Sequence, residues 1–322
     1  MSDNHIRKIA LVGASGNIGT TTLTHLLSSP HPIHITAISR PESTATFPTH
    51  SRLTVLKGSY TDPTFLARAF ADQDLVMFAL SFMALNAEKS MIEAAAKAGV
   101  KWIVPNEYAG DGLNEGMVEG VPVFQPKRAT RRFVEELAGT YEGLRWIGVA
   151  TNPFLEFCLG RKLFGVDQDE RSATIYPDAG GFNTSTMEVI GVAIARMLAL
   201  PISNSEDKRR SLEYYANNFL YLSSFCITQR QLLASIQKAT GTKEAEWKVD
   251  ESKTVKGWVE DCREGLKKGD MKAGWGLTFA YYMGEGLGGN YERKAQEDRR
   301  VLGLPEEDLD EVVKGVVGGG GK

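Results

Sequence analysis

The chain has 322 residues, of which 42% are apolar and 24% charged, with a formal charge of −3 at pH 7 and an isoelectric point near 6.0. This composition is typical of a globular protein with a sizeable core, and the charge argues against nucleic acid or an anionic membrane as a partner. The polar start MSDNHIRK predicts no signal peptide, no apolar run approaches the ~20 residues of a membrane span, and we expect a cytoplasmic protein.

The first predicted element is an apolar strand at residues 9–12, followed by the turn GASGNIG at residues 13–19 and by a helix. Gly13 allows a tight turn, Gly16 has no Cβ to block a phosphate, and Gly19 lets the helix lie close to the sheet. The helix start also offers unpaired N–H groups to an anion. The pattern favours a dinucleotide site over an ordinary strand–helix loop. The residues assigned to the cofactor in this turn are Gly13, Ser15, Gly16, Asn17, Ile18 and Gly19.

A second apolar strand, residues 33–39, ends at Arg40. In a dinucleotide-binding fold this position lies beside the adenosine ribose, where a carboxylate suits the 2′-hydroxyl of NAD and an arginine suits the 2′-phosphate of NADP. The carboxylate of Glu42 follows only after Pro41 has turned the chain. Arg40 therefore predicts NADP(H) as the cofactor, with a solvated arginine at a strand end as the alternative.

Further strands, predicted at residues 53–56, 75–80 and 100–104, alternate with helices at residues 62–72 and 86–98. Five strands that alternate with helices predict the α/β class, with a doubly wound parallel (Rossmann) sheet. The crossover rule places every loop that follows a strand at one edge of this sheet. The residues assigned from these loops are Gly58, Ser81 and Asn106 for the cofactor and Met83 and Tyr108 for the substrate.

The middle of the chain begins with residues 110–120, which are polar and glycine-rich and predict a mobile surface loop. An amphipathic helix is predicted at residues 124–137. Its basic residues are Lys127, Arg128, Arg131 and Arg132. We interpret Arg131 and Arg132 as surface charges. A sixth strand is predicted at residues 144–149.

Beyond residue 155 the pattern loosens and helices predominate. Helices are predicted at residues 186–200, 229–239, 252–268 and 271–283, from residue 291 and from Pro305, with short strands at residues 174–176 and 219–222. We predict an NAD(P)-binding domain of residues 1–155, joined by returning segments near residues 172–200 and 217–224. A smaller, helix-rich substrate-binding domain would then consist of residues 156–171 and 201–322.

The cysteine and histidine positions argue against several kinds of site. Cys158, Cys226 and Cys262 are odd in number and far apart, which predicts reduced thiols rather than a disulfide framework or a zinc site. All five histidines lie within the first fifty residues, so a Ser-His-Asp or Cys-His arrangement would have to take its base from there. We therefore expect no metal and no histidine-based nucleophilic site.

Four segments of the chain, in this order, are GASGNIG, KGSYTDPTFLARAFADQDLVMFAL, AAAKAGVKWIVPNEYAGD and PKRATRRFVEE. They resemble the isoflavone reductase-like group, which belongs to the NmrA-like branch of the atypical short-chain dehydrogenases. The resemblance covers about the first 155 residues. It continues more loosely through FNTSTMEVIGVAIARML and LGLPEEDLDEVV, which resemble fungal members.

This resemblance implies an NADPH-dependent reductase of secondary metabolism that passes hydride to a small, often aromatic or phenolic, molecule. Family members carry a catalytic acid-base lysine in a K-x-x-x-R-R-like helix, and that position here is Lys127, which would also contact the cofactor. Where the family usually has Pro-Ser-Glu-Phe, this chain has Asn106 in place of the serine, which changes the hydrogen bonding near the nicotinamide. Asn152 and Phe154 match the segment where nicotinamide and substrate meet, so both are assigned to the cofactor and Phe154 also to the substrate.

The acid-base chemistry would depend on the lysine alone. None of the ten tyrosines is followed four residues later by a lysine, so the tyrosine–lysine pair of typical short-chain dehydrogenases is missing. Burial near arginines would lower the pKa of Lys127 from its usual ~10.4 toward the range that suits general acid catalysis. The alternative is a solvated lysine on a charged helix face. Tyr281, Tyr282 and Trp275 could line an aromatic pocket, but aromatic residues in helices are usually core.

Three functions remain open at this stage. The first is an NADPH-dependent reductase of a small aromatic, phenolic or carbonyl metabolite, acting as a monomer or homodimer. The second is an NmrA-like regulator that binds the dinucleotide, senses its redox state and contacts a protein partner without turnover. The third is an epimerase or dehydratase that uses the cofactor transiently. The missing tyrosine–lysine pair disfavours the third.

Overall fold

A computed structural model describes residues 4–81 and 86–319. Its strands are Lys8–Val12 (β1), His34–Ser39 (β2), Leu53–Lys57 (β3), Leu75–Phe78 (β4), Trp102–Val104 (β5), Arg145–Ala150 (β6), Val166–Asp167 (β7), Ser172–Thr174 (β8), Phe182–Thr184 (β9), Asn218–Tyr221 (β10), Phe225–Ile227 (β11) and Lys248–Asp250 (β12). Its α-helices are Asn17–Ser28 (α1), Pro63–Phe70 (α2), Glu88–Lys97 (α3), Glu115–Gly120 (α4), Phe124–Ala138 (α5), Leu155–Gly160 (α6), Met187–Leu198 (α7), Gln229–Thr240 (α8), Val255–Lys267 (α9), Lys272–Met283 (α10), Glu292–Leu302 (α11) and Leu309–Gly318 (α12).

Seven of these strands form one parallel sheet in the order β10-β6-β5-β4-β1-β2-β3. The predicted doubly wound parallel sheet is therefore confirmed. Strand β1 lies between β2 and β4, so the strand order reverses beside it and a crevice forms at the carboxyl ends of these strands. The register places Val12, the last residue of β1, beside Ile38 and Phe78.

Helices cover both faces of this sheet. Alternate residues of a strand point to opposite faces, and β1 follows this rule. Ile9 and Leu11 join the apolar cluster that contains the buried residues of α1 and α7. Ala10 and Val12 join the cluster that contains the buried apolar residues of α2 and α3 and Val134 of α5. Every residue of β4 is buried, as expected for a strand covered on both faces.

A third apolar cluster combines α4 and α6 with α8, α9, α10 and α12 from the second half of the chain. Two small sheets accompany it, one with the strand order β12-β8-β7 and one that pairs β11 with β9. The chain returns to the main sheet where Leu220 of β10 pairs with Val149 of β6. The division into two domains at residue 155 stays a prediction. No helix within the described residues is long and apolar enough to cross a membrane.

The prediction of a mobile surface loop at residues 110–120 is wrong. Gly110, Asp111 and Gly112 are buried, and the rest of the segment contains helix α4. The side chain of Asn114 caps this helix by accepting the N–H of Met117 at 3.0 Å. The helix forms because Met117 and its neighbour Val118 are fully buried, a pair of apolar residues among polar ones.

The last helix begins later than predicted. Pro305 does not start it; the helix begins at Leu309, after Asp308 accepts the N–H groups of Asp310 and Glu311. An aspartate that caps the first turn determines this boundary more strongly than the proline does.

Candidate functional site

The glycine turn after β1 contains two positions that only glycine fits. Gly13 has a positive φ of +82°, and a Cβ there would lie 2.3 Å from the carbonyl oxygen of Ala79. A Cβ on Gly19 would lie 2.2 Å from the carbonyl oxygen of Gly13. Gly16 differs, because a Cβ there would make only ordinary contacts, the nearest at 3.4 Å. Packing therefore explains Gly13 and Gly19, whereas the exposed Gly16 leaves space on the outer side of the turn.

The start of α1 suits an anionic ligand. Gly16 is its N-cap, no side chain caps the first turn, and that turn contains no acidic residue. The flanking Ser15 and Asn17 are exposed, while Ile18 is buried in the core. Uncapped N–H groups at a helix start bind phosphate oxygens well because the helix dipole adds to their charge. The turn therefore fits the diphosphate of a dinucleotide.

Arg40 follows β2 at the same edge of the sheet. Its guanidinium Nε lies 3.4 Å from Oε1 of Glu42, and both side chains are largely exposed, at 59% and 65%. An exposed ion pair of this kind contributes about 0–1 kcal/mol, so Arg40 can exchange this partner for an anionic ligand. The sequence did not indicate this pairing, because Pro41 separates the two residues.

Three further assigned residues, Gly58, Ser81 and Met83, follow β3 and β4 in the sequence. Gly58 donates its N–H to the carbonyl of Ser39 at 3.0 Å, and a Cβ there would lie 2.3 Å from the ring of Phe65. Packing against α2 is thus sufficient to explain this glycine. Ser81, three residues after the end of β4, is exposed. Met83 lies outside the described residues.

Asn106 joins the ends of β4 and β5. Its Oδ1 accepts the N–H of Leu80 at 2.9 Å, and its Nδ2 donates to the carbonyl of Leu80 at 3.3 Å. Its own N–H donates to Oε1 of Glu88 at 2.6 Å. The amide of Asn106 therefore holds two strand ends together, which the serine that is usual in the family could do less completely because it has one polar atom.

Lys127 lies in α5 with its side chain directed to the loop after β5. It is half-buried, and its Nζ donates to the carbonyl oxygen of Asn106 at 2.5 Å. Burial lowers the pKa of Lys127, while the nearby carboxylates of Glu107 and Glu88 act to raise it. The alternative of a solvated lysine on a charged helix face does not describe this environment.

Arg131 is not a surface charge, contrary to our prediction, whereas Arg132 is exposed. The guanidinium of Arg131 donates to Oε1 of Glu107 at 2.5 Å and to the carbonyl of Gly112 at 2.7 Å. The side chains of this ion pair are only 5% and 1% exposed. One turn of helix separates Arg131 from Lys127, so both side chains reach the loop after β5. The buried pair fixes that loop against α5.

Three further assigned residues lie at the carboxyl ends of β5 and β6. Tyr108 has a buried hydroxyl without a hydrogen-bond partner among the described residues, and burial raises its pKa well above the usual value. Asn152 has a positive φ of 51° and donates its amide to the carbonyls of Asn183 and Gly289, which leaves its Oδ1 buried and without a partner in the described chain. Phe154 is half-buried against the core. Both polar atoms are therefore buried without a hydrogen-bond partner among the described residues.

The aromatic residues of α10 have mixed surroundings. Tyr281 and Tyr282 are buried in the cluster of the second half of the chain, whereas Trp275 is 58% exposed. A Cβ on Gly110 would lie 2.9 Å from the ring of Tyr282, so α10 packs directly on the loop after β5. The cysteines Cys158, Cys226 and Cys262 are free. No cluster within the described residues could hold a metal ion.

Sequence reasoning gave no role to Glu88 or Glu107. Both are acidic residues buried at the carboxyl ends of strands or at the helix that follows, at 5% and 1% exposure. The one signal available was the position of Glu88 at the first turn of the helix after β4, where a carboxylate complements the helix dipole. Nothing in the sequence separates it from the other acidic residues of α3.

The comparison with protein families identifies the first half of the chain. The model of the NmrA-like family matches residues 6–157. The matched segment contains the glycine turn, Arg40, the loop after β5 and Lys127. The resemblance stated from the sequence motifs is confirmed.

Relatives and solved structures extend the likeness to the whole chain. "Oxidoreductase aprR" of Aspergillus flavus is 28% identical over 321 residues, covering 97% of this chain and 99% of the relative. A structure described as AtPrR2 with NADP+ and (+)pinoresinol superposes with a TM-score of 0.70 at 17% identity, covering 96% of this chain and 98% of the other. An isoflavone reductase gives a TM-score of 0.70 at 18% identity, covering 97% and 99%. The structural likeness confirms the fold, and the names agree with the predicted oxidoreductase class and NADP(H) cofactor.

Proposed function

We propose that the chain is an NADP(H)-dependent reductase that transfers hydride to a small aromatic, phenolic or carbonyl metabolite, with Lys127 as the general acid-base group. One observation carries this proposal: the half-buried ammonium of Lys127 is held at the loop after β5 by the carbonyl of Asn106. That loop and the glycine turn lie at the same edge of the parallel sheet. The curated relative named an oxidoreductase and the solved neighbour described with NADP+ support it.

The proposed cofactor site combines the uncapped start of α1 with Arg40. The first-turn N–H groups would bind the diphosphate, and Arg40 would bind the 2′-phosphate of the adenosine ribose. When bound, the cofactor supplies the hydride and carries the electron chemistry. The protein residues would then bind, orient and exclude water. The orphaned Oδ1 of Asn152 adds a buried acceptor to the same edge.

Lys127 would supply the proton. An ammonium group has three N–H donors, and one is used by the carbonyl of Asn106, so two remain for a substrate oxygen. Because burial lowers the pKa of Lys127, proton transfer from Nζ to that oxygen is easier than from an exposed lysine. Once the proton is given up, the neutral amine still has two N–H groups and can keep its hydrogen bond to Asn106.

Tyr108, Phe154 and Met83 are the proposed substrate contacts. The buried hydroxyl of Tyr108 has no partner among the described residues, and its raised pKa keeps it protonated, so it can donate a hydrogen bond to a substrate. The half-buried ring of Phe154 offers an apolar face. We also propose that the smaller domain covers this site, and that the protein is cytoplasmic and a monomer or homodimer.

The proposal is tested by offering the protein NADPH together with each of a panel of phenylpropanoids, quinones and aromatic aldehydes. The fall in NADPH absorbance measures its oxidation. A reductase oxidises NADPH with at least one of these compounds. If NADP(H) binds but every compound is inert, the dinucleotide-sensing regulator becomes the better account.

A pair of glycine variants separates folding from cofactor binding. Gly16→Ala should change the free energy of unfolding by less than about 1 kcal/mol, because its Cβ has space and alanine is only a poorer N-cap. The methyl group should nevertheless weaken NADPH binding about tenfold, because it enters the space left for the phosphates. Gly19→Ala should lose about 1–3 kcal/mol of stability, because its Cβ meets a backbone oxygen. Thermal unfolding and NADPH titration measure the two effects; unchanged affinity in Gly16→Ala would contradict the assigned site.

A change at Arg40 should alter the choice of cofactor. We expect Arg40→Ala to weaken NADPH binding about tenfold and to leave NADH binding nearly unchanged, because only NADPH carries the 2′-phosphate. Glu42→Gln is the matched variant, since it removes the partner of Arg40 but keeps the guanidinium. The measurement is the dissociation constant of NADPH and of NADH for the wild type and for both variants. An equal loss for NADPH and NADH in Arg40→Ala would show that Arg40 does not recognise the 2′-phosphate.

A further inference from the structure

Glu88 is a buried carboxylate that the proposed mechanism does not use. It is the first residue of α3, and only 5% of its surface is exposed. Within residues 4–81 and 86–319 no cation lies at ion-pair distance from it, and its hydrogen bond comes from the N–H of Asn106 at 2.6 Å. A carboxylate this buried is costly to keep, because burial penalises its charged form. A role at the first turn of the helix alone does not explain why the carboxylate of Glu88 is buried.

A continuous set of hydrogen bonds connects Glu88 to Lys127 through a single residue. The N–H of Asn106 donates to Glu88, and the carbonyl of the same residue accepts from Lys127. The side chain of Asn106 is held by both polar backbone atoms of Leu80. Asn106 is thus fixed on all sides, and the position of its carbonyl depends on each of these bonds. A substitution of Glu88 would remove or alter one of the bonds that fix Asn106, and Asn106 in turn holds the Nζ of Lys127.

We propose that Glu88 is a positioning residue for Lys127: its carboxylate fixes Asn106, and its negative charge keeps the lysine in the ammonium form. The consequence for turnover rests on the proposed function, whereas the effect on Lys127 can be measured without it.

The charges around Glu88 and Lys127 determine at which pH Glu88 becomes negatively charged. Burial raises the pKa of Glu88 to about 7, although the hydrogen bond from Asn106 and the charge of Lys127 act to lower it. Glu107, on the loop after β5, acts to raise the pKa of Glu88, and Lys89 beside it acts to lower it. Glu88 therefore gains its negative charge near neutral pH.

The same charge acts on the lysine. Glu88 and Glu107 raise the pKa of Lys127 against the effect of burial, and Arg131 on the next turn of α5 lowers it. Of these two carboxylates, Glu107 forms an ion pair with Arg131, whereas Glu88 forms no ion pair within the described residues. Replacing it with a neutral residue should let Lys127 lose its proton at lower pH.

Stability should respond to the same substitution. The unfolded carboxyl ionises near its ordinary value of 4.5, whereas the folded one ionises near 7, so the folded state binds more protons between these values. By linkage, stability falls as pH rises through that window and stays lowered above it. Glu88→Gln cannot ionise and keeps an oxygen for the N–H of Asn106. It should therefore gain thermal stability relative to the wild type above neutral pH, and less so in acid.

The test compares the wild type with Glu88→Gln and with the control Glu93→Gln. Glu93 lies on the same helix, is 43% exposed and pairs with Lys97. The protein, free of cofactor, is labelled with ¹³C at the ε-carbon of lysine and titrated by NMR, and the Lys127 signal is assigned by its loss in Lys127→Ala. The pH profile of NADPH turnover is measured on the same variants.

We expect Lys127 to titrate at lower pH in Glu88→Gln than in the wild type or Glu93→Gln. On the alkaline side, turnover of Glu88→Gln should fall about threefold or more below the wild type, and the difference should shrink toward acid. An unchanged Lys127 titration in Glu88→Gln would overturn the proposal. A protein without any turnover would refute the proposed function, while the NMR comparison would still decide the role of Glu88.

Discussion

Lys127→Ala should lose turnover by about 10²–10⁴-fold, the range that a positioned general acid usually contributes. The reason is specific to this site, because Nζ is held by the carbonyl of Asn106 and its pKa is lowered by burial. The quantity to measure is kcat/KM for NADPH with whichever compound is reduced, alongside the dissociation constant for NADPH. Cofactor affinity should change far less than turnover.

Two variants sharpen this result. Lys127→Arg keeps a positive charge but cannot give up a proton near neutral pH, so it should remain nearly as impaired as Lys127→Ala. Lys97→Ala removes a lysine that is 60% exposed on α3 and should leave turnover unchanged. If Lys127→Ala retains most of its activity, or Lys127→Arg restores it, proton transfer by this lysine is excluded.

Arg131→Ala should destabilise the protein by about 3–5 kcal/mol, because it leaves the carboxylate of Glu107 buried without its cation. It also removes a guanidinium that lies 5.3 Å from the ring centre of Phe219 and 5.6 Å from that of Trp146. Chemical denaturation with a two-state fit measures the free energy of unfolding. Arg132→Ala is the matched control, because the side chain of Arg132 is exposed. This substitution should lower the free energy of unfolding by less than about 0.5 kcal/mol.

The double variant Glu107→Gln/Arg131→Met separates the ion pair from the packing. It removes both charges and fills part of the space, so it should recover much of the stability lost in Arg131→Ala. Equal stability of Arg131→Ala and Arg132→Ala would mean that the buried pair contributes little to the fold.

The parallel sheet was predictable because its central strands are buried on both faces and therefore appear as continuous apolar runs. β4, with the sequence LVMF, is the clearest case. Helix ends were predictable where a capping side chain or a glycine in the left-handed conformation marks them. Asp62 accepts two N–H groups at the start of α2, and Gly241 closes α8 with a φ of +67°. These signals act over a few residues, so the sequence alone is sufficient to identify them.

The interior of the site was less predictable, because it depends on contacts between residues far apart in the chain. Arg131 and Glu107 are 24 residues apart, and Asn106 and Leu80 are 26 apart. A charged residue in an amphipathic helix is normally exposed, and only the loop packed on α5 shows that Arg131 is buried. The family resemblance assigned the acid-base role to Lys127, which stays a proposal, but it gave no sign of Glu88, whose proposed role depends on the bond to Asn106.

Equilibrium titration of the wild-type protein with NADPH and, separately, with NADH tests the central claim most directly, because the proposed chemistry at Lys127 depends on a bound cofactor. Dihydronicotinamide fluorescence reports binding without a known substrate. We predict saturable binding of NADPH, tighter than that of NADH because Arg40 follows β2. An absence of saturable binding for both nucleotides would contradict the account.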